Sequence, residues 1–216
     1  FKKELRSVFR WIVWLALPIA VITFFARGYV VAFIKNGGQP AIASVLGALV
    51  ISIFFRTLYH IMARTFYAQQ DTRTPLYISI ATISLNILLA IVFTQLFGWG
   101  VFGLAWAQSI VSVVEIAILL TILHVRTPGI FNRKTLRSII TMMIASVIMG
   151  VVTYFVVQML QLQSRDMNFM AVFPKFTVIV VVSFAVYIAL SKVFKLEEAD
   201  PIVAKLRQLL FGRVRR

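Results

Sequence analysis

Thr74–Val114, TPLYISIATISLNILLAIVFTQLFGWGVFGLAWAQSIVSVV, runs without a single Asp, Glu, Lys or Arg. A bilayer core about 30 Å thick needs roughly 20 mostly apolar residues per helical span. The stretch is long enough for two spans, and Gly98-Trp99-Gly100 supplies turn punctuation between them. Ser138–Ser164 is likewise free of charge. Helices of this composition would be insoluble as surface elements of a globular domain.

Working outward, charges and breakers predict six spans at about Trp11–Ala26, Pro40–Ala63, Pro75–Phe97, Val101–Leu123, Ser138–Leu160 and Pro174–Ser191. Three begin at a proline, which the first helical turn tolerates because its missing N–H would be unpaired there. Asn36-Gly37-Gly38 and Thr127-Pro128-Gly129 punctuate two further connections. The fold class expected is an all-α polytopic membrane protein with six transmembrane helices.

Composition agrees. Of 216 residues, 61% are hydrophobic and only 13% charged, against about a quarter charged in an ordinary soluble domain. There is no cysteine, which excludes disulfides, thiolate metal sites and a Cys nucleophile. The net charge of +15 would suggest nucleic acid in a soluble protein. In a membrane protein it points instead to cytoplasmic loops and anionic lipids as partners.

The basic residues are not evenly divided. Lys2, Lys3, Arg6 and Arg10, then Arg64 and Arg73, then Arg126, Arg133, Lys134 and Arg137, then the C-terminal cluster from Lys192 to Arg216 all fall on one side of the predicted spans. Arg27, Lys35, Arg165 and Lys175 fall on the other. The positive-inside rule places both ends of the chain in the cytoplasm, consistent with an even number of spans. Beyond the last span, Glu197-Glu198-Ala199-Asp200-Pro201 reads as a helix start. Ile202, Val203, Leu206, Leu209 and Leu210 then predict a short amphipathic helix on the leaflet; the competing reading is a frayed basic tail. The opening Phe1-Lys2-Lys3-Glu4-Leu5 reads like the interior of a longer protein.

An ionisable group inside a span is expensive and is a functional candidate. Arg56, His60 and Arg64 recur every four residues and stack on one face of the second span. Such a stripe would line an aqueous cavity and attract an anionic head group. The bland alternative is that Arg64 and His60 snorkel to the interface while Arg56 pairs with an acid. Glu115 is the one acid inside any predicted span, either an ion-coupling site or the partner of Arg56 or His60. Asn86, Gln95 and Gln108 add polar groups to spans three and four, where interhelical hydrogen bonding is the default. Catalytic signatures such as HExxH, GxSxG and the P-loop are absent, so neither an enzyme nor a metal or other cofactor is expected.

The segment Arg64-Thr65-Phe66-Tyr67-Ala68-Gln69-Gln70-Asp71-Thr72-Arg73-Thr74-Pro75 resembles the FYALQDTKTP junction of the MurJ/MviN lipid II flippases, in the multidrug/oligosaccharidyl-lipid/polysaccharide exporter superfamily. Gly103-Leu104-Ala105-Trp106-Ala107-Gln108-Ser109 is similar to that family's GLALATS, and Leu15-Ala16-Leu17-Pro18 to its ALP. The motifs occur in the family's order. The resemblance implies fourteen helices in the family, as two six-helix lobes around a central cavity plus two extra helices. By motif order this chain resembles helices nine to fourteen: residues 1–125 the four last helices of the second lobe, 126–195 the additional pair, 196–216 a basic tail.

The family's extra pair forms a groove for a polyprenyl tail. Its cavity arginines lie mostly in the first lobe, outside the region of resemblance, and are not carried over. Some members bind sodium through an Asn and an Asp one turn apart. Asn86 matches the Asn, Ala90 stands in place of the Asp, and Gln108 occupies the threonine of GLALATS. Phe66, Tyr67, Asp71, Thr72, Arg73, Thr74 and Pro75 carry the junction motif; its expected role is structural, with Asp71 capping nearby N–H groups, and gating is the alternative. The function implied is the C-terminal part of a lipid II flippase of the bacterial inner membrane, working by alternating access with the family's N-terminal helices. The alternatives are an O-antigen or exopolysaccharide flippase of the same superfamily and a non-transporting membrane scaffold.

Overall fold

The computed structural model describes residues 2–34, 39–127, 132–160 and 169–200. Seven α-helices occur among them: α1 (Lys2–Phe25), α2 (Arg27–Ile34), α3 (Pro40–Ala68), α4 (Arg73–Ile91), α5 (Gly100–Arg126), α6 (Arg133–Met159) and α7 (Phe169–Val193). Six segments are long and apolar enough to cross a membrane. The protein is an all-helical, multi-pass membrane protein, as the charge-free runs require. Asn36-Gly37-Gly38, Pro128-Gly129 and the tail from Pro201 onward, with its expected amphipathic helix, lie outside the described residues.

Several boundaries differ from the sequence expectation, each for a packing reason. The first span starts at Lys2 rather than Trp11, because Leu5 and Phe9 are buried in the core and prolong the apolar stripe. It also continues past Ala26 into α2, with Tyr29 and Val30 donating to the Ala26 carbonyl at 2.9 and 3.2 Å. The second span runs to Ala68 rather than Ala63: Phe66 is fully buried, and Thr65 Oγ1 donates to the Ile61 carbonyl at 3.0 Å. Pro174, expected at a helix start, is the sixth residue of α7. There it deprives one carbonyl, that of Met170, of its intrahelical donor.

Glu197 and Glu198, expected as acids at the start of a tail helix that lies outside the described residues, serve as counter-ions to α1. Arg10 Nη2 lies 3.2 Å from Glu197 Oε2, and Arg10 Nε pairs with the buried carboxylate of Glu198. Trp14, also on α1 and fully buried, donates from Nε1 to Ser191 Oγ at 3.0 Å and packs on Tyr187, fastening α1 to α7. Thr153 Oγ1 donates to Ser183 Oγ at 2.8 Å between α6 and α7, and the Tyr29 hydroxyl donates to the Leu160 carbonyl. α1 is thus central, packing α3 on one side and α6 and α7 on the other.

α3 and α5 pack against each other more extensively than any other pair among the described helices. Small side chains allow it: Ser109 Oγ donates to the Ala48 carbonyl at 2.6 Å, and the Ser52 and Ser112 hydroxyls are 2.9 Å apart. α4 packs along α5 and ends in a π-helical turn, Val92–Leu96, before Gly98 and Gly100, both left-handed (φ +66 and +53). Those two glycines reverse the chain where a side chain would be strained. Trp99 stacks on Phe93, and Phe97 and Phe102 pack beside it, the kind of aromatic cluster found where helices meet a membrane interface. A Cβ on Gly103 would lie 2.9 Å from Phe93 Cβ and 3.1 Å from the Phe93 backbone.

The α3–α4 turn explains the chemistry of its sequence. Gln70, left-handed at φ 60, lets the Gln70 N–H reach the Tyr67 carbonyl and the Asp71 N–H reach the Phe66 carbonyl, at 2.9 and 3.0 Å. That is a Schellman closure of α3. Asp71 then opens α4: Oδ1 accepts from the N–H groups of Arg73 and Thr74 at 3.1 and 3.0 Å, and Oδ2 accepts from Thr74 Oγ1 at 2.6 Å. Arg126, at the end of α5, completes the clasp. It pairs with Asp71 Oδ2, donates to Thr74 Oγ1 at 2.9 Å and lies 5.8 Å from the Phe66 ring centre. The Thr74 hydroxyl and N–H together with Arg126 hold the Asp71 carboxyl well below the usual carboxylate range.

Two outcomes follow for the full-length protein in detergent. Gly103→Ala should lower stability by about 1–3 kcal/mol through overpacking against backbone, read as a fall in Tm. Asp71→Ala should lower Tm more than Asp71→Asn, which keeps an acceptor for α4 but loses the charge pairing with Arg126. A depressed carboxyl stabilises the fold above its unfolded value and loses that contribution only as pH falls toward its folded value. The Tm gap between wild type and Asp71→Asn should therefore persist from pH 7 to about pH 5 and narrow only below the ordinary Asp value of about 3.9.

Candidate functional site

Three helices each bring a polar stripe to one place. α3 contributes Arg56, Tyr59 and His60; α4 contributes Ser79, Thr82 and Asn86; α5 contributes Gln108 and Glu115. The spacings are those of one helix face. Together with Ile83, Ile87 and Val111 they line a cavity of about 400 Å³. The α3–α5 seam sets its floor, since Ser112 Oγ bonds both Ser52 and the Gln108 carbonyl, the latter at 2.8 Å.

Arg56 is held by an amide. A guanidinium can only donate, so Gln108 presents its oxygen to it, accepting from Arg56 Nη2 and Nε at 2.8 and 3.0 Å. The Gln108 NH2 group then lies 2.7 Å from the end of the Asn86 side chain, whose amide accepts from it by presenting its oxygen. Asn86, Gln108 and Arg56 thus form one chain across α4, α5 and α3.

Glu115 anchors a second set. Its Oε1 accepts from Thr82 Oγ1 at 3.1 Å and from Ser79 Oγ at 3.4 Å, while the Tyr59 hydroxyl lies 2.7 Å from Ser79 Oγ. Glu115 is only 8% exposed. Glu115 makes no ion pair with Arg56 or His60; the ion pairs seen at the helix ends belong to Arg10 and Arg126. The reason is geometric: Arg56 turns to the Gln108 amide, and two α4 hydroxyls reach the carboxylate. No cluster of three His, Cys, Asp or Glu capable of holding a metal occurs among the described residues.

Of the basic stripe on α3, Arg56 and His60 line the cavity and Arg64 does not; Arg64 is exposed beyond it. The junction motif lies outside the cavity as well, with Phe66 buried, Tyr67, Thr72 and Arg73 exposed, and Pro75 buried in the first turn of α4. Sequence reading missed Tyr59, Ser79 and Thr82. The signal was present in Ser79, Thr82 and Asn86 at i, i+3 and i+7, a polar line on an otherwise apolar span.

A family model described as lipid II flippase MurJ matches residues 1–174. Among curated proteins, the chain is 27% identical over 163 residues to a probable lipid II flippase MurJ of Thermotoga maritima, covering 76% of this chain and 30% of that protein. It is 26% identical over 135 residues to a probable lipid II flippase MurJ of Vibrio cholerae serotype O1, covering 62% of this chain and 24% of that protein. A solved structure of lipid II flippase MurJ in an inward closed conformation superposes with a TM-score of 0.72 at 20% identity, over 90% of this chain and 39% of that one. The chain therefore spans less than a third of the length of the curated relatives it matches, and the solved structure shares its fold. On the extent of the family match, the chain belongs to the MurJ lipid II flippase family.

Proposed function

We propose that this chain forms the C-terminal part of a lipid II flippase, which moves lipid-linked peptidoglycan precursor across the bacterial inner membrane by alternating access. The observation that carries this reading is the cavity of Arg56, His60, Asn86 and Gln108 set within apolar spans. A lipid-linked diphosphate saccharide is anionic and hydrogen-bonding at its head and apolar at its tail. A water-accessible basic cavity suits the head, and a charge in a span is costly unless it serves such a use. Family membership supports the same substrate.

On this reading residues 1–125 supply four helices of the second lobe, and residues 126–195 the additional pair. The packing of α6 and α7 on each other and on α1 and α2 supports that division. Residues 196–216 form a basic tail at the anionic leaflet, with both ends of the chain cytoplasmic. In support, Arg126 meets Asp71, and Arg10 meets Glu197 and Glu198, joining span flanks on the side that carries most of the Lys and Arg. The second half of the cavity comes from the family's N-terminal helices, and alternating access is a rocking of one lobe on the other.

The test is depletion of the native full-length protein in its host, with lipid II measured in each leaflet. Lipid II should accumulate in the inner leaflet, and the wild-type gene should clear it. Arg56→Ala should clear it poorly: losing charge-assisted hydrogen bonds worth about 1.5–3 kcal/mol weakens head-group affinity roughly ten- to a hundredfold. Arg56→Lys should fall between, keeping the charge but not the planar fork held by Gln108. Unchanged lipid II with loss of a surface polysaccharide would redirect the substrate to an O-antigen or exopolysaccharide lipid; no change in either would favour a scaffold.

A further inference from the structure

Glu115 is used by neither the basic stripe nor the helix seam, and its surroundings are unusual for a buried carboxylate. We infer that Glu115 is a proton-binding site, and that the anionic head group enters the cavity together with a proton held there. This rests on the function proposed above and adds a coupled ion to it.

The charged and titratable groups facing Glu115 are few. α3 presents Arg56, Tyr59 and His60, and α4 presents only the hydroxyls of Ser79 and Thr82. None forms an ion pair with it, and Arg56 is engaged by Gln108. A carboxylate so placed opposes the entry of a diphosphate into the same small cavity. Protonation removes the opposition and leaves the Arg56 guanidinium to receive the anion.

The hydrogen-bond geometry accommodates both states without moving a heavy atom. When Glu115 is ionised, Thr82 Oγ1 and Ser79 Oγ donate to Oε1, and the Tyr59 hydroxyl donates to Ser79 Oγ. When Glu115 is protonated, its O–H needs an acceptor. Thr82 Oγ1 lies 3.1 Å from the Ser79 carbonyl as well as from Glu115. Its proton can swing to that carbonyl, and its oxygen then accepts from the carboxylic acid. Ser79 Oγ goes on donating toward Oε1 and accepting from the Tyr59 hydroxyl. A purely structural carboxylate needs only the first set of donors. Because only the Thr82 rotor turns, Thr82, Ser79 and Tyr59 each keep a partner in both states, and an orphaned group in a low-dielectric site is avoided.

Binding and protonation are then reciprocally linked. The test is lipid II binding to the full-length protein in nanodiscs across about pH 6 to 9. In the wild type, affinity should strengthen as pH falls, approaching about tenfold per pH unit where one proton is taken up per ligand. Glu115→Gln, fixed neutral, should bind at high pH as tightly as the wild type at low pH and lose this dependence, whereas His60→Gln should retain it. Ligand-induced infrared difference spectra of the wild type give a check that no variant's folding can confound: a protonated-carboxyl band should appear on binding. A flat pH profile in the wild type, an unchanged slope in Glu115→Gln, or absence of that band would overturn the proton site while leaving the flippase reading intact. Failure of the wild type to bind lipid II at any pH would overturn the flippase reading itself, and the proton site with it.

Discussion

The close approach of α3 and α5 is the constraint on which the rest of the molecule depends. In a bilayer there is no hydrophobic gain from bringing two apolar helices together, so contact must come from packing and interhelical hydrogen bonds. Ala48, Ser52, Ser109 and Ser112 are small enough to let the backbones approach, and the serine hydroxyls bond across the seam, Ser109 to the Ala48 carbonyl and Ser52 to Ser112. Once this seam closes, Gln108 and Glu115 on α5 are brought to the edge of α3 that carries Arg56 and His60. α4, packed along α5, closes the other wall. The cavity is a by-product of three helices whose contact residues are small and whose neighbouring residues are polar.

Within that cavity the polar groups are sorted rather than paired. Arg56 binds an amide and Glu115 binds hydroxyls, so neither charge neutralises the other. A direct ion pair would bury both charges against each other and leave little field for a ligand. Neutral dipoles instead hold each group in place and keep its charge available. The clasp at the α3–α4 turn works in the opposite way: Asp71 and Arg126 are paired outright and tie the ends of the three cavity helices together.

The ends of the chain show how far local reading extends. Long, mostly apolar runs located every span, since a helix must satisfy its own backbone in lipid and few other structures can. Gly98 and Gly100 were legible as a turn, and their left-handed backbone explains why. The reach of α1 back to Lys2 was not legible. Its first turns are polar enough that helix and loop read equally well, and they are helix because Leu5 and Phe9 find a core and Arg10 finds Glu197 and Glu198. Those acids are almost 190 positions away along the chain.

The amino-acid sequence alone determined that this is a helical membrane protein of six spans, that Arg56, His60, Asn86, Gln108 and Glu115 are its costly intramembrane polar groups, and that its motifs are those of the family it belongs to. These properties are written in local composition and in spacing along one helix. Tertiary structure alone decided who meets whom. Gln108, rather than Glu115, holds Arg56; Ser79 and Thr82 take the carboxylate; Arg64 is left outside. Side-chain partners across helices depend on rotation and depth of each helix in the bundle, and those are set by the α3–α5 seam and the central packing of α1 rather than by any single span.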